Sequence, residues 1–314
     1  MDVQIVYVIV GNMDSLYGAM LRLSIRSLRY HHPDAQVKII TDSETYAELV
    51  SRQSRFLEEG FVIIDVPEEM TIMQRSRFLK TSVRQHIAGD FLFVDTDTII
   101  AAPLDELDCI TDDVSLVIDR HMDYHVDHPY VLGLFRKAGF ASDPGLPYFN
   151  SGVMLVRDTP IAHRLYQTWH SYWLKSQFNG VPMDQPALCA ANHDLGYIIH
   201  ELPARFNTMT ATPLGFCSYL PQACLIHYFN ENHFPLRQHV LAAIRHDDAV
   251  VGWRKLLIRY PRTIGVSVFS MGDMDILRHG MRLHPLSQGG LSWGRWLWVI
   301  WLWVTSKVVS LFIR

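Results

Sequence analysis

The chain has 314 residues, 49% hydrophobic and 19% charged, with a mean hydropathy of +0.06. That composition can bury a core, which excludes a disordered chain, and its mean hydropathy excludes a polytopic membrane protein. The formal net charge of −4 argues against a nucleic-acid partner, because neutralising phosphates needs a basic face.

Taken in chain order, residues 5–10 read as a buried strand. Tyr17, Met20, Leu21, Ser24, Ile25 and Leu28 then fall on one helical face, with Arg22, Arg26 and Arg29 opposite. Strands are predicted over 37–41, 61–65, 91–95 and 115–119. Asp42 or Ser43 is placed to cap a helix running to about Leu57, and another helix is predicted near 74–88. This rhythm predicts an α/β protein with a mostly parallel, doubly wound sheet. Residues 120–149 read as loop, followed by a strand over 152–156 and a helix over 160–176. Asp184-Gln185 is placed to open a short helix, and Cys189 sits in the apolar stretch ALCAA, a core position.

Charge is divided unevenly. Residues 235–314 hold eleven Lys/Arg and four acids, a balance of +7, and the remainder balances at −11. Five Trp (Trp293, Trp296, Trp298, Trp301, Trp303) crowd into eleven residues of that basic end. Residues 296–313 are mostly apolar but fall short of the ~20 residues a spanning helix needs. Their Trp density suits an interfacial anchor, with nearby basic residues attracted to an anionic leaflet. Cys109, Cys189, Cys217 and Cys224 form no CxxC pair and fit neither a zinc site nor a disulfide framework. No basic segment or cleavage site precedes the first apolar run, so a reducing, cytosolic setting at the inner face of a membrane is expected.

Doubly wound sheets bind ligands beyond the carboxyl ends of their strands. The polar residues there include Gly11-Asn12, Asp42, Asp65, Asp95-Thr96-Asp97 and Asp119. No GxGxxG follows the first strand and no GxxxxGK[ST] is present, so dinucleotide-binding and P-loop readings lose their main support. Asp95 and Asp97, two carboxylates spaced i, i+2 at a strand end, can share one hard divalent cation. The stretch from Asp95 to Ile99 also resembles the DxDxT motif of haloacid-dehalogenase-like phosphatases, with Asp95 as nucleophile, although Ile99 stands where that motif has its Thr. That motif ordinarily follows the first strand of its domain, whereas about 90 residues precede it here.

Several motifs occur in one order: Gly11-Asn12, Phe78-Leu79-Lys80, Asp95-Thr96-Asp97, Tyr148-Phe149-Asn150-Ser151-Gly152-Val153, Asp184-Gln185, Arg205-Phe206-Asn207 and Ile226-His227-Tyr228. Together they resemble the GT-A-fold glycosyltransferases of family 8, which include glycogenin and lipopolysaccharide galactosyl- and glucosyltransferases, over roughly residues 3–230. The resemblance implies a GT-A catalytic domain over 1–235; beyond it, residues 236–290 read as a helical or irregular C-terminal cover and 291–314 as the Trp-rich tail. It implies Asp95, Asp97 and His227 as ligands of Mn²⁺ or Mg²⁺. It implies Val10, Gly11, Asn12, Lys80, Asp119, Asn150 and Ser151 as contacts of a nucleotide-sugar donor, and Asp184 and Gln185 as catalytic residues of a retaining hexosyl transfer. The acceptor implied is a glycan or lipid-linked glycan, as in surface-polysaccharide synthesis. One departure is clear. The family's Gly-x-x-Lys-Pro-Trp segment after the His is replaced here by Asn230-Glu231-Asn232-His233-Phe234-Pro235, without a Lys. That departure keeps a third reading open beside the phosphatase, a non-catalytic nucleotide-sugar-binding protein.

Overall fold

The computed structural model describes residues 1–12, 15–51, 59–119, 128–141, 147–209 and 222–227. The 236–290 cover, the 291–314 tail, the boundary at 235 and Cys217 lie outside the described residues, as does the segment replacing Lys-Pro-Trp.

The predicted alternation is observed: β1 (Gln4–Val8), α1 (Leu16–His31), β2 (Val37–Asp42), α2 (Ser43–Ser51), β3 (Gly60–Ile64), α3 (Ile72–Ser82), β4 (Phe91–Val94), β5 (Thr98–Ile100) and β6 (Val114–Ile118). Then come α4 (Pro129–Ala138), β7 (Phe149–Val156), α5 (Pro160–Phe178), α6 (Gln185–Asp194), β8 (Ile199–Glu201), β9 (Thr208–Met209) and β10 (Leu225–His227). Seven strands form one sheet in the order β3-β2-β1-β4-β7-β6-β8, and β5-β10-β9 form a small second sheet. The first four strands of the large sheet are parallel; β7 runs antiparallel to both β4 and β6. All eight residues of β7 are buried, as expected for a strand covered on both faces.

Two cores lie on the two faces of the sheet. On one, Val6, Phe91, Phe93 and Met154 pack with Trp169 and Trp173 of α5 and with α6, which carries buried Cys189. On the other, Ile5, Tyr7 and Leu92 pack with Leu21, Ile25 and Leu28 of α1. The predicted apolar face of α1 holds except at Tyr17, which is 53% exposed and lies at a cleft mouth. Ser24 is buried on that face because it bonds Tyr7 and Thr98.

The reading of 120–149 as loop is corrected by α4. Its start is capped by His128, whose Nδ1 accepts from Tyr130 N–H, with Pro129 in the first turn. Its end is closed by Gly139 at φ +75°. Val131, Phe135 and Ala138 are buried at i, i+4, i+7 spacing. The prolines of the segment hide this pattern, and one of them starts the helix. Of His121, Asp123, His125, Asp127 and His128, which cluster in that segment, only His128 is among the described residues. The other boundaries shift by a few residues. α3 ends at Ser82 and continues as a short 3-10 turn through Gln85, and β7 starts at Phe149, three residues earlier than predicted.

Among the described residues, no helix is long and apolar enough to cross a membrane.

Candidate metal and donor site

The strand order 3-2-1-4 places a topological switch between β1 and β4, where crevices form in open α/β sheets. Val10, Gly11 and Asn12 follow β1, and Asp95, Thr96 and Asp97 follow β4. A cleft of about 390 Å³ opens there, lined by Val10, Tyr17, Ile72, Arg77, Lys80 and both aspartates. Gly11 takes φ +92°, a conformation that favours glycine, and its N–H donates to Thr45 Oγ1 at 2.8 Å.

The turn between β4 and β5 is held rigidly. Asp95 N–H donates to Gly152 O (2.7 Å), Thr98 Oγ1 donates to Asp95 O (2.8 Å), and Ile100 N–H donates to Ser27 Oγ (2.9 Å). β10 pairs antiparallel with β5, so His227 stands opposite Thr98. This register carries a histidine about 130 residues downstream to the aspartates. His227 Nε2 lies 3.2 Å from Asp97 Oδ1 and 3.9 Å from Asp95 Oδ2. Ligand atoms of Asp95, Asp97 and His227 all lie within 4.8 Å of one another.

The donor set fits a divalent cation. Two carboxylates and one imidazole suit a metal that accepts mixed oxygen and nitrogen ligands, as Mn²⁺ does. Burial pushes the Asp95 carboxyl above the ordinary carboxylate range, and neighbouring Asp97 adds to this against the pull of Lys80. Burial also disfavours the Asp97 anion, but the His227 ring and a backbone N–H hold its pKa below the usual range. A bound cation would relieve the like-charge pressure between the two. Gly152 is the cradle. A Cβ there would overlap His227 Cε1 and lie 2.7 Å from Nδ1 and 2.9 Å from Asn150 Oδ1.

Basic charge comes from α3, started by a capping box of Thr71 and Gln74. Arg77 and Lys80, spaced i, i+3, share one face of it. Lys80, 2% exposed, sits 3.1 Å from both Asp95 oxygens and 3.5 Å from Asp184 Oδ2. Arg77 Nε lies 3.2 Å from Asp184 Oδ1. Asp184 stands at the N-cap position of α6, yet its side chain makes no capping bond. It accepts from Ser151 Oγ at 2.7 Å instead. Burial works against its charge, but Lys80, Arg77 and Ser151 overcome that and hold its carboxyl far below the usual range. Trp169 Nε1–H donates to Asp184 O and Gln185 Nε2–H to Phe149 O, both at 2.9 Å, which docks this corner against the start of β7.

Because β7 is antiparallel, its first residues lie beside the carboxyl ends of β4 and β6. That is how Asn150 and Ser151 reach the site. Asn150 Nδ2 donates to Asp119 Oδ1 at 2.9 Å, and both side chains are buried. Of the predicted site residues, Val10, Lys80, Asp95 and Asp97 line the cleft. Gly11 and Asn12 follow Val10, His227 meets the aspartates, Asp184 and Ser151 join Lys80, Gln185 follows Asp184, and Asn150 and Asp119 are linked to His227 through Asn207. Sequence reasoning overlooked Arg77 and quoted Gly152 and Asn207 only as motif members, without a role. Arg77 had a readable signal, its i, i+3 spacing from Lys80. Gly152 and Asn207 matter through contacts that only the fold creates.

No protein-family model and no curated protein matches the sequence. Solved structures do. A galactosyltransferase, LgtC, solved with donor and acceptor sugar analogues, is 20% identical with a TM-score of 0.53, covering 77% of this chain and 95% of its own. Mouse xyloside xylosyltransferase 1 is 15% identical at a TM-score of 0.50, covering 75% of this chain and all of its own. The glycosyltransferase GlyE of Streptococcus pneumoniae is 15% identical at 0.51, covering 81% of this chain but 64% of its own. The fold is therefore the GT-A fold of glycosyltransferases.

Proposed function

We propose that this chain is a metal-dependent, retaining glycosyltransferase that moves a hexose from a nucleotide-diphosphate sugar, a UDP-sugar, to a glycan or lipid-linked acceptor. The observation that carries this reading is the Asp95/Asp97/His227 cluster at the switch point of a GT-A sheet, flanked by Lys80 and Arg77. Among the described residues, nothing in the site favours the phosphatase or the non-catalytic alternative over this reading.

A divalent cation bound by Asp95, Asp97 and His227 would supply Lewis-acid neutralisation of the charge that develops on the leaving pyrophosphate. The chain's own residues supply the rest. Lys80 and Arg77 place fixed positive charge on the same side, in a site where such charge acts strongly. Val10, Gly11 and Asn12 border the cleft where the nucleoside would lie, and exposed Tyr17 and Ile72 offer apolar surface at its mouth. Asp119, Asn150 and Ser151 are buried at the carboxyl end of β6 and the start of β7, and would bear on the sugar from there. Asp184, held ionised by two cations, neither delivers nor takes a proton at neutral pH. Its negative charge anchors Arg77 and Lys80 and sets the position of Gln185. With its carboxamide nitrogen committed to Phe149 O, Gln185 has its oxygen to offer the electron-poor anomeric carbon. A Gln is a poor nucleophile, so this arrangement favours front-face attack with an ion-pair-like transition state over a covalent intermediate. In this reading the Trp-rich 291–314 tail lies at the inner membrane face beside a lipid-linked acceptor. Deleting it should release the protein from membranes, and a truncated protein that still sediments with them would overturn that part.

The test is UDP release from each UDP-sugar with Mn²⁺ and a glycolipid extract as acceptor. Asp95→Asn and Asp97→Asn should each lower release by about 10²–10³-fold, the scale of removing a main electrostatic stabiliser. No release from any donor would overturn the proposal, and phosphate release from a phosphomonoester would favour the phosphatase.

A further inference from the structure

Behind the metal ligands, four buried side chains form one connected chain. Asn150 Nδ2 meets Asp119 Oδ1 at 2.9 Å, Asn207 Nδ2 meets Asn150 Oδ1 at 3.0 Å, and His227 Nδ1 meets Asn207 Oδ1 at 3.1 Å. Asp119 is 6% exposed, Asn150 5%, His227 2% and Asn207 0%.

The direction of each link follows from its ends. The Gly152 N–H can only donate, and it points at Asn150 Oδ1 at 2.9 Å, so that atom is the oxygen of the amide. The amide nitrogen of Asn150 therefore faces the Asp119 carboxylate, which accepts. Asn207 must then donate to Asn150 Oδ1, and this turns its own oxygen towards His227. An amide oxygen only accepts, so the hydrogen of the link sits on His227 Nδ1.

This placement has a rival. Asp97 Oδ1 lies 3.2 Å from Nε2 and can accept a hydrogen from it. A neutral imidazole has one N–H, and two acceptors compete for it. Only the Nδ1 outcome leaves Nε2 with a lone pair facing the carboxylates.

We propose that Asn207 is a positioning residue for the metal centre: it holds the His227 hydrogen on Nδ1 and so presents Nε2 as a ligand. Asp119 and Asn150 act through it by fixing the orientation of its amide. The inference rests on the metal-site reading above. Asn207 touches neither ion nor sugar; its effect passes through the tautomer of one ring, as outer partners of metal-bound histidines commonly act.

The experiment places ¹⁵N-histidine in the full chain and reads the ring nitrogens of His227 by NMR, metal-free and with the ring neutral, with His227→Asn providing the assignment. The wild type is expected to carry its hydrogen on Nδ1. Asn207→Leu, of similar volume but without an acceptor, is expected to move it to Nε2 and to weaken Mn²⁺ binding, read by paramagnetic resonance, by about tenfold or more. Asn207→Asp keeps an acceptor oxygen and is expected to keep the hydrogen on Nδ1. A hydrogen on Nε2 in the wild type, or a folded Asn207→Leu that moves neither readout, would overturn the proposal. If Asn207→Leu does not fold, the wild type and Asn207→Asp decide. Neither readout uses a sugar donor, so loss of the transferase reading and loss of this one appear in different experiments.

Discussion

The two flanks of the cleft hold their shape by different physics. The flank on α3 and the start of α6 is a compact charge cluster: Lys80 between Asp95 and Asp184, and Arg77 on Asp184. The flank on β7, the turn just before β9, and β10 is a relay of amides ending on an imidazole, with a glycine cleared for the ring. Charge clusters act over distance and tolerate small shifts, whereas amide relays act through orientation and tolerate none. The first suits a pyrophosphate whose charge grows during reaction. The second suits a metal ligand that must keep one lone pair in one direction.

The sharpest way to break this contrast is Gly152→Ala. The added methyl has no room beside His227 and Asn150, so the ring must leave its place. The β4 turn is also tied to Gly152 O. We expect Mn²⁺ binding to weaken by about 100-fold, the upper end of outer-partner effects, and transfer to fall to background. Equilibrium dialysis with Mn²⁺ measures the first. Tight Mn²⁺ binding by Gly152→Ala would show that the amide flank does not fix the ring.

Asp184→Asn breaks the other flank. It removes the partner shared by buried Lys80 and by Arg77, whose side chain is 33% exposed. Because Lys80 keeps Asp95, the loss is expected at or below the lower end of the ~3–5 kcal/mol typical of a broken buried pair. The sign of the pH dependence follows from the depressed carboxyl of Asp184. The stability it contributes is complete above its unfolded value of ~3.9 and is lost as the pH falls below that towards the folded value. Urea unfolding of wild type and Asp184→Asn should therefore differ by a constant amount at neutral pH and converge below about pH 4. A gap that persists unchanged in acid would mean that packing, and not charge, underlies the loss.

The charged flank was far more legible in the sequence than the relay. Asp95 and Asp97 announce themselves by residue type and by position at a strand end, and the βαβ rhythm places them at a switch point; Lys80, on helix α3, came only with the family resemblance. Asp184 was visible too, but as a helix cap in competition with a catalytic group; the fold gives its side chain to Ser151, Lys80 and Arg77. Of the relay, Asp119, Asn150 and His227 came with the family resemblance, but nothing in the sequence joined them through Asn207. Asn207 lies in a three-residue motif with no chemistry of its own until β10 pairs with β9 and β5. Gly152 in a strand reads as a packing detail until a ring from β10 stands over it. α4 was hidden because Pro129 and Gly139, read as loop residues, are its start and stop.

The smallest expected effect sharpens the comparison by separating the flanks. Thr71 caps α3 from outside the cleft, with its side chain and that of Gln74 bonding reciprocally at the helix start. Removing it in Thr71→Ala costs about 1 kcal/mol of stability, the usual loss for an N-cap. Arg77 and Lys80 sit on this helix, whereas Asp95, Asp97 and His227 come from the ends of β4 and β10. A frayed α3 therefore loosens the two cations without touching the metal ligands. The expected signature is a lower melting temperature and a raised KM for the donor, with the Mn²⁺ dissociation constant unchanged. If the Mn²⁺ constant moves together with KM, then Lys80 couples the flanks through Asp95, and the cleft responds as one unit.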